Sequence, residues 1–453
     1  MQLKIRIKYM CMKKRLVLIN PVNPARVGLT VNKSSRFPPI GLGIIATLTP
    51  PDWQVSLVDE NWDSFTYREA DLVGITAFTA SACRAYEIAA QYRQNNVPVI
   101  MGGIHASMCP QEALQYVDAV VLGEAESIWQ TVLSDFDTGQ LKKEYHGERA
   151  ELSNMAQPRR DLFRADYMFA SVQTSRGCPM DCEFCSVTAF NGRQYRQRPV
   201  EDVLDELATI PQKMIFFVDD NIIGYGEKSK ERAKALFQGM VERKLDKWWF
   251  CQASINFGDD EEVLQWAKKA GCQMVFLGIE AEEMDALKEV HKQLNAQRGI
   301  SAYDTAFKNI QNAGIAVLGA FIFGMDGDTP QKLESRAKYM RRSSGIDVMQ
   351  TTFLTPLPGT RLYDQYQQEN RLQYTQFPSD WQHYDMTEVI HQPGRMTADQ
   401  LQSLMKTLNR RMYAWPVLIR KAINTFWQTR DMTATMFAWS SNINYRNVSK
   451  HTA

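Results

Sequence analysis

Three cysteines lie close together near the middle of the chain, in the segment SRGCPMDCEFCSVTAFNGRQYRQRP at residues 175–199. Cys178, Cys182 and Cys185 follow the order C-x-x-x-C-x-x-C. Three thiolates at this spacing can hold three irons of a [4Fe–4S] cube and leave the fourth iron without a protein ligand. An iron with an open position can bind a small chelating molecule. The segment therefore predicts an iron–sulfur cluster that binds a second small molecule.

Two other interpretations of these cysteines remain. A disulfide is disfavoured because three is an odd number and the chain shows no secretory context. A structural zinc site normally takes four ligands in paired C-x-x-C modules, and neither Cys251 nor Cys272 belongs to such a pair. Structural zinc and inert thiols are the alternatives to the cluster.

The same segment resembles the signature of the radical S-adenosylmethionine (radical SAM) superfamily, C-x-x-x-C-x-aromatic-C, with Phe184 in the aromatic position. The resemblance implies that the open iron binds the amino and carboxylate groups of SAM. It also implies that one electron from the cluster cleaves SAM into methionine and a 5′-deoxyadenosyl radical. Such a radical abstracts hydrogen from a carbon that no side-chain acid or base could ionise.

Composition narrows the class of protein. The chain has 453 residues, 44% hydrophobic and 23% charged, which is enough for two or three globular domains. A formal net charge of +1 gives no support for a nucleic-acid partner. No apolar run reaches the ~18 residues of a membrane span, and lysines and arginines interrupt the apolar start, unlike a signal peptide. Eight cysteines, three of them in one motif, fit a reducing cytoplasm.

Residues 13–150 alternate short apolar strands with helices, which predicts a doubly wound parallel sheet. Strands are expected at residues 16–19, 53–58, 72–76, 97–101 and 119–122. Ligands of such sheets bind at the carboxyl ends of the strands. The segments at those ends are small, polar and Gly-rich: NPVNP, DEN, TAFTAS, GGIHAS and GEAES.

This domain resembles the cobalamin-binding domain that precedes the radical SAM domain in one large subfamily, through PPIGLGIIATLTP, VDEN, VIMGGIHAS and VVLGEAE. The resemblance implies cobalamin contacts at Thr76, Ser81, Gly102, Gly103, His105, Gly123 and Glu124. The D-x-H-x-x-G loop that supplies a cobalt-ligating histidine elsewhere is absent, and PVNPARVG stands in its place. Cobalamin bound without that histidine and a domain that serves only as a scaffold therefore both stay open. His105 is interpreted as a contact of the nucleotide tail, with a lower-face ligand or a plain surface histidine as alternatives.

Residues 166–365 read as six further strand–helix units, which predict a partial (β/α)6 radical SAM barrel. Strands are expected at residues 171–174, 213–218, 248–252, 274–277, 316–323 and 348–353. The remaining boundaries are an N-terminal extension at 1–12, a linker at 151–165 and a mainly helical C-terminal tail at 366–453. The cysteine loop follows the first barrel strand, at the end where such barrels gather their catalytic groups.

Polar residues at the ends of the barrel strands acquire roles by the same resemblance. The second strand end would contact the SAM amino group, the third its carboxylate and ribose, the fourth the ribose hydroxyls and the fifth the adenine. In that order the residues are Asp219, Asp220 and Asn221; Gln252, Ser254 and Asn256; Glu280; and Ile322 and Met325. Helix caps or ordinary loop polar groups are the alternative for each acid and amide.

The tail carries a basic amphipathic stretch at residues 418–430, which either caps the barrel or lies on a membrane surface. Capping is the default expectation, and membrane contact would suit a lipid substrate. Residues 442–453 are polar and are expected to fray.

The function that follows is a radical SAM enzyme with a [4Fe–4S] cluster, SAM and cobalamin as cofactors. Relatives of this combined family include hopanoid methylases, the anaerobic magnesium-protoporphyrin ester cyclase and tetraether-lipid synthases. A cytoplasmic, cobalamin-dependent C-methyltransferase of a small or lipid-like metabolite is the first hypothesis, with flavodoxin or ferredoxin as electron donor. A radical SAM cyclase, oxidoreductase or carbon–carbon coupling enzyme is the alternative, followed by a non-catalytic iron–sulfur protein.

Overall fold

Two parallel sheets dominate the computed structural model, which describes residues 13–25 and 31–451. A segment at residues 148–169, which contains no strand, separates the two sheets along the chain. The N-terminal extension, residues 1–12, lies outside the described residues. Residues 151–165, which the sequence predicts as a linker, fall within this strand-free segment.

The first sheet has the strand order β2-β1-β3-β4-β5-β6, with every neighbouring pair parallel. Its strands are β1 (Lys14–Asn20), β2 (Trp53–Asp59), β3 (Leu72–Thr76), β4 (Val99–Gly102), β5 (Ala119–Gly123) and β6 (Glu144–Gly147). Its helices are α1 (Ile40–Leu48), α2 (Ala82–Gln94), α3 (Ile104–Met108), α4 (Pro110–Tyr116) and α5 (Trp129–Asp137). The predicted doubly wound topology is confirmed, and the order reverses between β1 and β3, where such folds bind their ligands. Strand β6 was not predicted, because Tyr145 is its one buried residue.

Both faces of the first sheet are covered, which explains the continuous apolar run of β1. Val17 and Ile19 face one core with α2, whereas Leu16 and Leu18 face a second core with α1 and α5. Alternate residues of a strand point to opposite faces, so a strand buried on both faces shows no polar alternation.

The second sheet has the order β14-β13-β12-β11-β10-β7, again fully parallel. Strands β7 and β14 are its two edges, so the barrel is open on one side, as predicted. Its strands are β7 (Ala170–Val172), β10 (Met214–Phe217), β11 (Trp248–Ala253), β12 (Cys272–Glu280), β13 (Ala316–Phe323) and β14 (Val348–Phe353), and a separate antiparallel pair joins β8 (Ser175–Arg176) to β9 (Arg196–Gln197). The helices between the strands are α6 (Ser186–Asn191), α7 (Val200–Thr209), α8 (Glu227–Glu242), α9 (Glu261–Lys269), α10 (Met284–Glu289), α11 (Gln293–Arg298), α12 (Ser301–Asn312) and α13 (Pro330–Arg342).

The tail is mainly helical, as expected, with α14 (Arg361–Gln368), α15 (Ala398–Met412), α16 (Trp415–Thr429) and α17 (Met432–His451). Helix α15 begins at a capping box, in which Thr397 and Gln400 satisfy each other's backbone amides. No helix among the described residues is long and apolar enough to cross a membrane.

Helix α17 covers one face of the barrel sheet. Ala434 and Ala438 pack against Met274, Leu318 and Val348, while the flanking helices cover the opposite face. The expectation that residues 442–453 fray was wrong for residues 442–451. Asn442 is buried there and bonds the backbone of residues 347 and 349 through its side-chain amide. The side chain of Asn442 satisfies backbone groups at the sheet edge, so its polarity does not signal exposure.

Candidate cofactor site

The cysteine loop lies between β8 and α6, directly after the first barrel strand. Gly177 begins the loop at a φ of +87°, and a Cβ there would lie 2.2 Å from the carbonyl oxygen of Gln194. Only glycine combines this backbone conformation with so close an approach. The loop is therefore closed at its base by the chain that returns through β9.

The three cysteines are half-buried and remain free thiols in the described part of the chain. Burial raises the pKa of the Cys182 thiol to about 12, and burial together with the Cys185 thiol raises that of Cys178. Thiolate ligation therefore requires a cation or cluster to displace the protons, as cysteine metal sites do.

The donor set fits a cluster better than a single ion. Among residues 13–25 and 31–451, no three His, Cys, Asp or Glu side chains meet closely enough to hold one metal ion. Ligands of one zinc must converge on a point, whereas three ligands of an iron–sulfur cube attach to different corners. Three half-buried thiols in one loop of a parallel barrel, spread apart, match the second arrangement.

A buried cation beside the cysteines was not foreseen from the sequence. Lys292 donates a hydrogen bond of 2.7 Å to Glu280, the predicted fourth-strand acid, and both side chains are largely buried. Burial disfavours the charged lysine, but Glu280 and the Cys182 and Cys178 thiols outweigh it and raise the pKa of Lys292. A fixed positive charge therefore lies next to the loop that would hold an anionic cluster. No local motif identifies Lys292, because Glu280 lies 12 residues earlier in the chain and the cysteine loop lies in a different strand–helix unit.

Two acids at the end of β10 hold the cysteine loop. Asp219 is fully buried and accepts hydrogen bonds from the backbone amide of Thr174 at 2.9 Å and the hydroxyl of Ser175 at 2.6 Å. Asp220 accepts a hydrogen bond from the amide of Gly177 at 3.2 Å, and burial raises its pKa to about 6. The structure thus brings both predicted residues to the cysteine loop. Asp219 holds the residues that lead into the loop, and Asp220 bonds the first residue of the loop itself.

Buried amide oxygens without partners lie at the ends of β10 and β11. Asn221 donates to the hydroxyl of Ser254 at 3.0 Å, and Asn256 donates to the carbonyl of Gly224 at 3.2 Å. Within the described chain, the Oδ1 atoms of Asn221 and Asn256 and the second carboxylate oxygen of Asp219 have no hydrogen-bond partner. Unpaired buried acceptors are costly unless a ligand supplies donors, and the ammonium and ribose hydroxyls of SAM are such donors. Gln252 donates only a long bond, 3.4 Å, to the Asp219 carbonyl.

The strand end that is expected to contact adenine is buried. Ile322 and Met325 lie at the end of β13, where Arg336 donates to the Ile322 carbonyl and pairs with Asp328. Asp328 in turn accepts a bond from the Met325 amide at 3.0 Å. Phe184 lies nearby on a cavity of about 180 Å³, which is also lined by Glu289, Asp326, Leu354 and Tyr366.

Glycines leave space at the strand ends of the first domain. A Cβ on Gly103, at a φ of +91°, would lie 2.6 Å from the hydroxyl of Thr76, while Gly102 has no neighbour that close. Phe78 follows β3 with 73% of its surface exposed, and the hydroxyl of Ser81 donates to the Phe78 carbonyl at 3.1 Å. A backbone-lined cradle with an exposed aromatic ring fits a large, flat cofactor such as cobalamin.

The side chain of His105 lies inside the first domain, so the alternative of a plain surface histidine is wrong. Its ring is fully buried, with Nε2 3.0 Å from the Tyr86 hydroxyl and 3.3 Å from Glu112, and it packs against Trp381. Trp381 donates to Glu112 at 2.9 Å, so these residues fasten the tail to the first domain. The ring is enclosed by these residues, and its Nδ1 is a buried atom without a hydrogen-bond partner in the described chain, so the contact with the nucleotide tail stays a prediction.

Glu124 joins the first domain to the cysteine loop. It follows Gly123 at the end of β5 and pairs with Arg176 at 2.8 Å and with Arg196. Arg176 lies in β8, which leads into the loop, and Arg196 lies in β9, which leads out of it. Glu124 is buried, and both of its carboxylate oxygens are engaged in this contact, while the cobalamin contact expected from the sequence stays a prediction. Its partners are 52 and 72 residues away in sequence, and no local pattern reveals them.

Comparison with known proteins agrees with this division of the chain. The family model of the radical SAM superfamily matches residues 172–340, and that of the B12 binding domain matches residues 27–133. Bacteriochlorophyllide d C-12(1)-methyltransferase of Chlorobaculum tepidum is 26% identical over 94% of this chain and 95% of its own length. The hopanoid C-2 methylase of Rhodopseudomonas palustris is 28% identical, covering 74% of this chain and 65% of its own. The anaerobic magnesium-protoporphyrin IX monomethyl ester cyclase of Rubrivivax gelatinosus is 24% identical, covering 78% and 68%.

Solved structures share the fold. The radical SAM methyltransferase TsrM from Kitasatospora setae, with tryptophan and a SAM analogue bound, superposes with a TM-score of 0.64 at 19% identity. The superposition covers 79% of this chain and 76% of the TsrM chain. The cobalamin-dependent radical SAM enzyme OxsB, with cobalamin and SAM bound, gives 0.61 at 15% identity, covering 86% and 57%. The chain therefore combines a radical SAM domain with a B12-binding domain, and its cofactors are a [4Fe–4S] cluster, SAM and cobalamin.

Proposed function

We propose that this enzyme is a cobalamin-dependent radical SAM methyltransferase that acts on an unactivated carbon of a small or lipid-like metabolite. The observation that supports it is the direct connection between the two domains at the cysteine loop, through Glu124, Arg176 and Arg196. Methyl transfer to a substrate radical requires the two cofactors to reach the same carbon. A domain connection built on the loop itself meets that requirement.

Each group of residues has a distinct task in this proposal. Cys178, Cys182 and Cys185 hold the cluster, whose cleavage of SAM supplies a hydrogen-abstracting radical, while cobalamin supplies the methyl group. The unpaired amide oxygens of Asn221 and Asn256 accept hydrogen bonds from SAM and fix its orientation. The buried Lys292 keeps a positive charge beside the loop. These residues position the cofactors, and the buried surroundings exclude water that would compete for the reactive species.

The substrate and partners follow from relatives. Those compared above are named for methylation of a bacteriochlorophyllide or a hopanoid and for cyclisation of a magnesium-porphyrin ester. All are large, mostly apolar molecules, which supports a lipid-like or tetrapyrrole-like substrate. A flavodoxin or ferredoxin in the cytoplasm is proposed as the electron donor.

Cobalt content and SAM cleavage test the proposal together. Protein produced anaerobically with cobalamin is expected to carry one cobalt and one cluster per chain and to form 5′-deoxyadenosine with SAM and a reductant. Cluster absorbance without cobalt would refute methyl transfer from cobalamin and favour the cyclase, which the magnesium-protoporphyrin relative supports. An intact cluster that never cleaves SAM, with or without candidate substrates, would refute every radical SAM function.

A further inference from the structure

Helix α16 and the start of α17 present a row of large apolar side chains to solvent. Ile423, Trp427 and Met436 are 52%, 59% and 63% exposed. The row, here called the α16 face, consists of Trp415, Ile419, Ile423, Phe426, Trp427, Met432 and Met436. Its members in α16 recur every three or four residues, so they share one side of the helix. Isolated exposed apolar residues are ordinary, but a contiguous row this long marks an interaction surface.

The opposite side of α16 is firmly anchored, so the row cannot turn inwards. Lys421 is buried and donates to the backbone carbonyls of Met340 at 2.8 Å, Ser343 at 2.7 Å and Ile346 at 2.5 Å. Thr425, one turn later, donates to the buried carboxylate of Asp347 at 2.8 Å. The helix therefore caps the barrel through its polar side and leaves its apolar side outward. The cap predicted from the sequence and the exposed apolar row therefore belong to two sides of one helix.

The chain around the α16 face has a one-sided charge. Residues 400–436 contain six lysines and arginines and a single acidic residue, Asp431, which pairs with Lys268 at 2.8 Å. Five of the six are exposed, and these are Lys406, Arg410, Arg411, Arg420 and Arg430. The Arg430 guanidinium lies 4.8 Å from the centre of the Trp427 ring, at the edge of the apolar row. Tryptophan beside arginine, around an apolar stripe, is the composition of helices that lie in the interface of an anionic bilayer.

We propose that the α16 face docks this enzyme onto the surface of a membrane that contains anionic lipids. The helix would lie in the membrane plane, with Ile419, Ile423 and Trp427 among the acyl chains and the arginines among the headgroups. A second copy of the chain fits less well, because a two-fold contact would bring both sets of arginines together, and the one carboxylate of residues 400–436, on Asp431, is already paired with Lys268.

An acidic electron carrier would also match the charge, but it would bind at the wrong end of the barrel. The contacts of Lys421 and Thr425 place α16 beside residues 340–347, which precede β14. The cysteine loop follows β7, at the opposite, carboxyl end of the parallel strands. Strand β13 alone has 8 residues and spans about 26 Å, too far for direct electron delivery from that end. Docking there leaves the carboxyl ends of the strands free for substrate and reductant.

Vesicle flotation of the full chain tests the proposal without any need for activity. The wild-type protein is expected to float with vesicles of phosphatidylglycerol and phosphatidylcholine, and at least tenfold less with phosphatidylcholine alone. The double variant Ile423→Glu/Trp427→Glu is expected to lose at least tenfold in the partition coefficient, while circular dichroism stays unchanged. Tyr225→Glu, which alters an equally exposed aromatic residue outside the α16 face, is the matched control and should float like wild type.

Three outcomes would overturn the proposal. The first is wild-type protein that does not float with anionic vesicles. The second is a double variant that floats with them as well as the wild type does. A wild-type dimer in size-exclusion chromatography that the double variant converts to monomer would assign the α16 face to a second copy. Because none of these measurements involves SAM cleavage or cobalt, their failure is distinct from a failure of the proposed methyl transfer.

Discussion

Glu124→Gln should separate the first domain from the cysteine loop with little change of shape. The carboxylate is 8% exposed and is held by the Arg176 and Arg196 guanidiniums and by the amide of Ala150 at 2.8 Å. The neutral amide leaves the buried Arg176 guanidinium with Glu126 as its carboxylate partner and leaves the partly buried Arg196 guanidinium without one among the described residues. Removing one member of a buried ion pair costs about 3–5 kcal/mol, because the charges that remain stay desolvated.

Urea unfolding measures this loss directly. Small proteins lose about 1–3 kcal/mol of stability per molar urea and larger chains lose more, so the unfolding midpoint of this chain should fall by about 0.5–1 M. Iron retained after anaerobic reconstitution should fall as well, because β8 and β9 carry the two ends of the cysteine loop. The variant therefore links the stability of the domain contact to cluster retention.

Arg361→Gln is the matched control for a nearby surface pair. Arg361 holds Asp181 of the same loop at 2.9 Å, but about half of its side chain is exposed. Exposed pairs contribute about 0–1 kcal/mol, so this variant should unfold near the wild-type midpoint. A Glu124→Gln protein that unfolds like the control and keeps its iron would refute the view that this buried contact supports the cluster loop.

Three other variants probe separate parts of the molecule. Cys182→Ala should lose nearly all iron from reconstituted protein, whereas Cys83→Ala, outside the loop, should keep it; equal iron in both would exclude Cys182 as a ligand. Gly103→Val should lower cobalt content strongly in protein with normal iron, because the new side chain would collide with Thr76; unchanged cobalt would move the cradle elsewhere. Burial lowers the pKa of His391 to about 4, below the ~6.5 of an unfolded chain, so stability is full above pH 6.5 and is lost as the pH falls towards 4. Between pH 7 and pH 5 the wild type should lose about 2 kcal/mol of its free energy of unfolding through this histidine. The variant His391→Gln can still donate to the Gly324 carbonyl, and its loss over the same pH range should be smaller by that amount. Equal dependence of stability on pH in the two proteins would contradict the role given to His391.

Local signals in the sequence were sufficient for the two sheets and the cysteine loop. Apolar runs such as residues 16–19 or 316–323 are buried on both faces, and nothing but a covered parallel strand explains them. Polar residues after a strand could be assigned to the site because parallel strands end at one edge of the sheet. Asp219 and Asp220 reach the cysteine loop for that reason.

Long-range pairing was beyond the reach of the sequence. Glu124 directly follows a strand, which is the usual position of a ligand-binding residue, yet its carboxylate pairs with two arginines of the other domain. His105 lies in a Gly-rich segment, yet Tyr86, Glu112 and Trp381 enclose its ring. In both cases the residue type and position were informative, but the identity of the partner was decided by tertiary packing. Lys292 and the burial of Asn442 depend on such partners as well.

The position of α17 in the chain has a consequence for synthesis on the ribosome. The last strand of the barrel ends at Phe353, and the helix that covers its apolar face begins at Met432, so 78 residues separate them. At ~5–20 residues per second, roughly 4 to 16 s pass between the translation of that strand and the arrival of its cover. During this interval Phe250, Phe276 and Leu318 of the nascent barrel are exposed to solvent. A ribosome that stalls before residue 432 would therefore release an incomplete chain that is prone to aggregate. Chaperones that bind emerging apolar segments would be needed most at this point of translation.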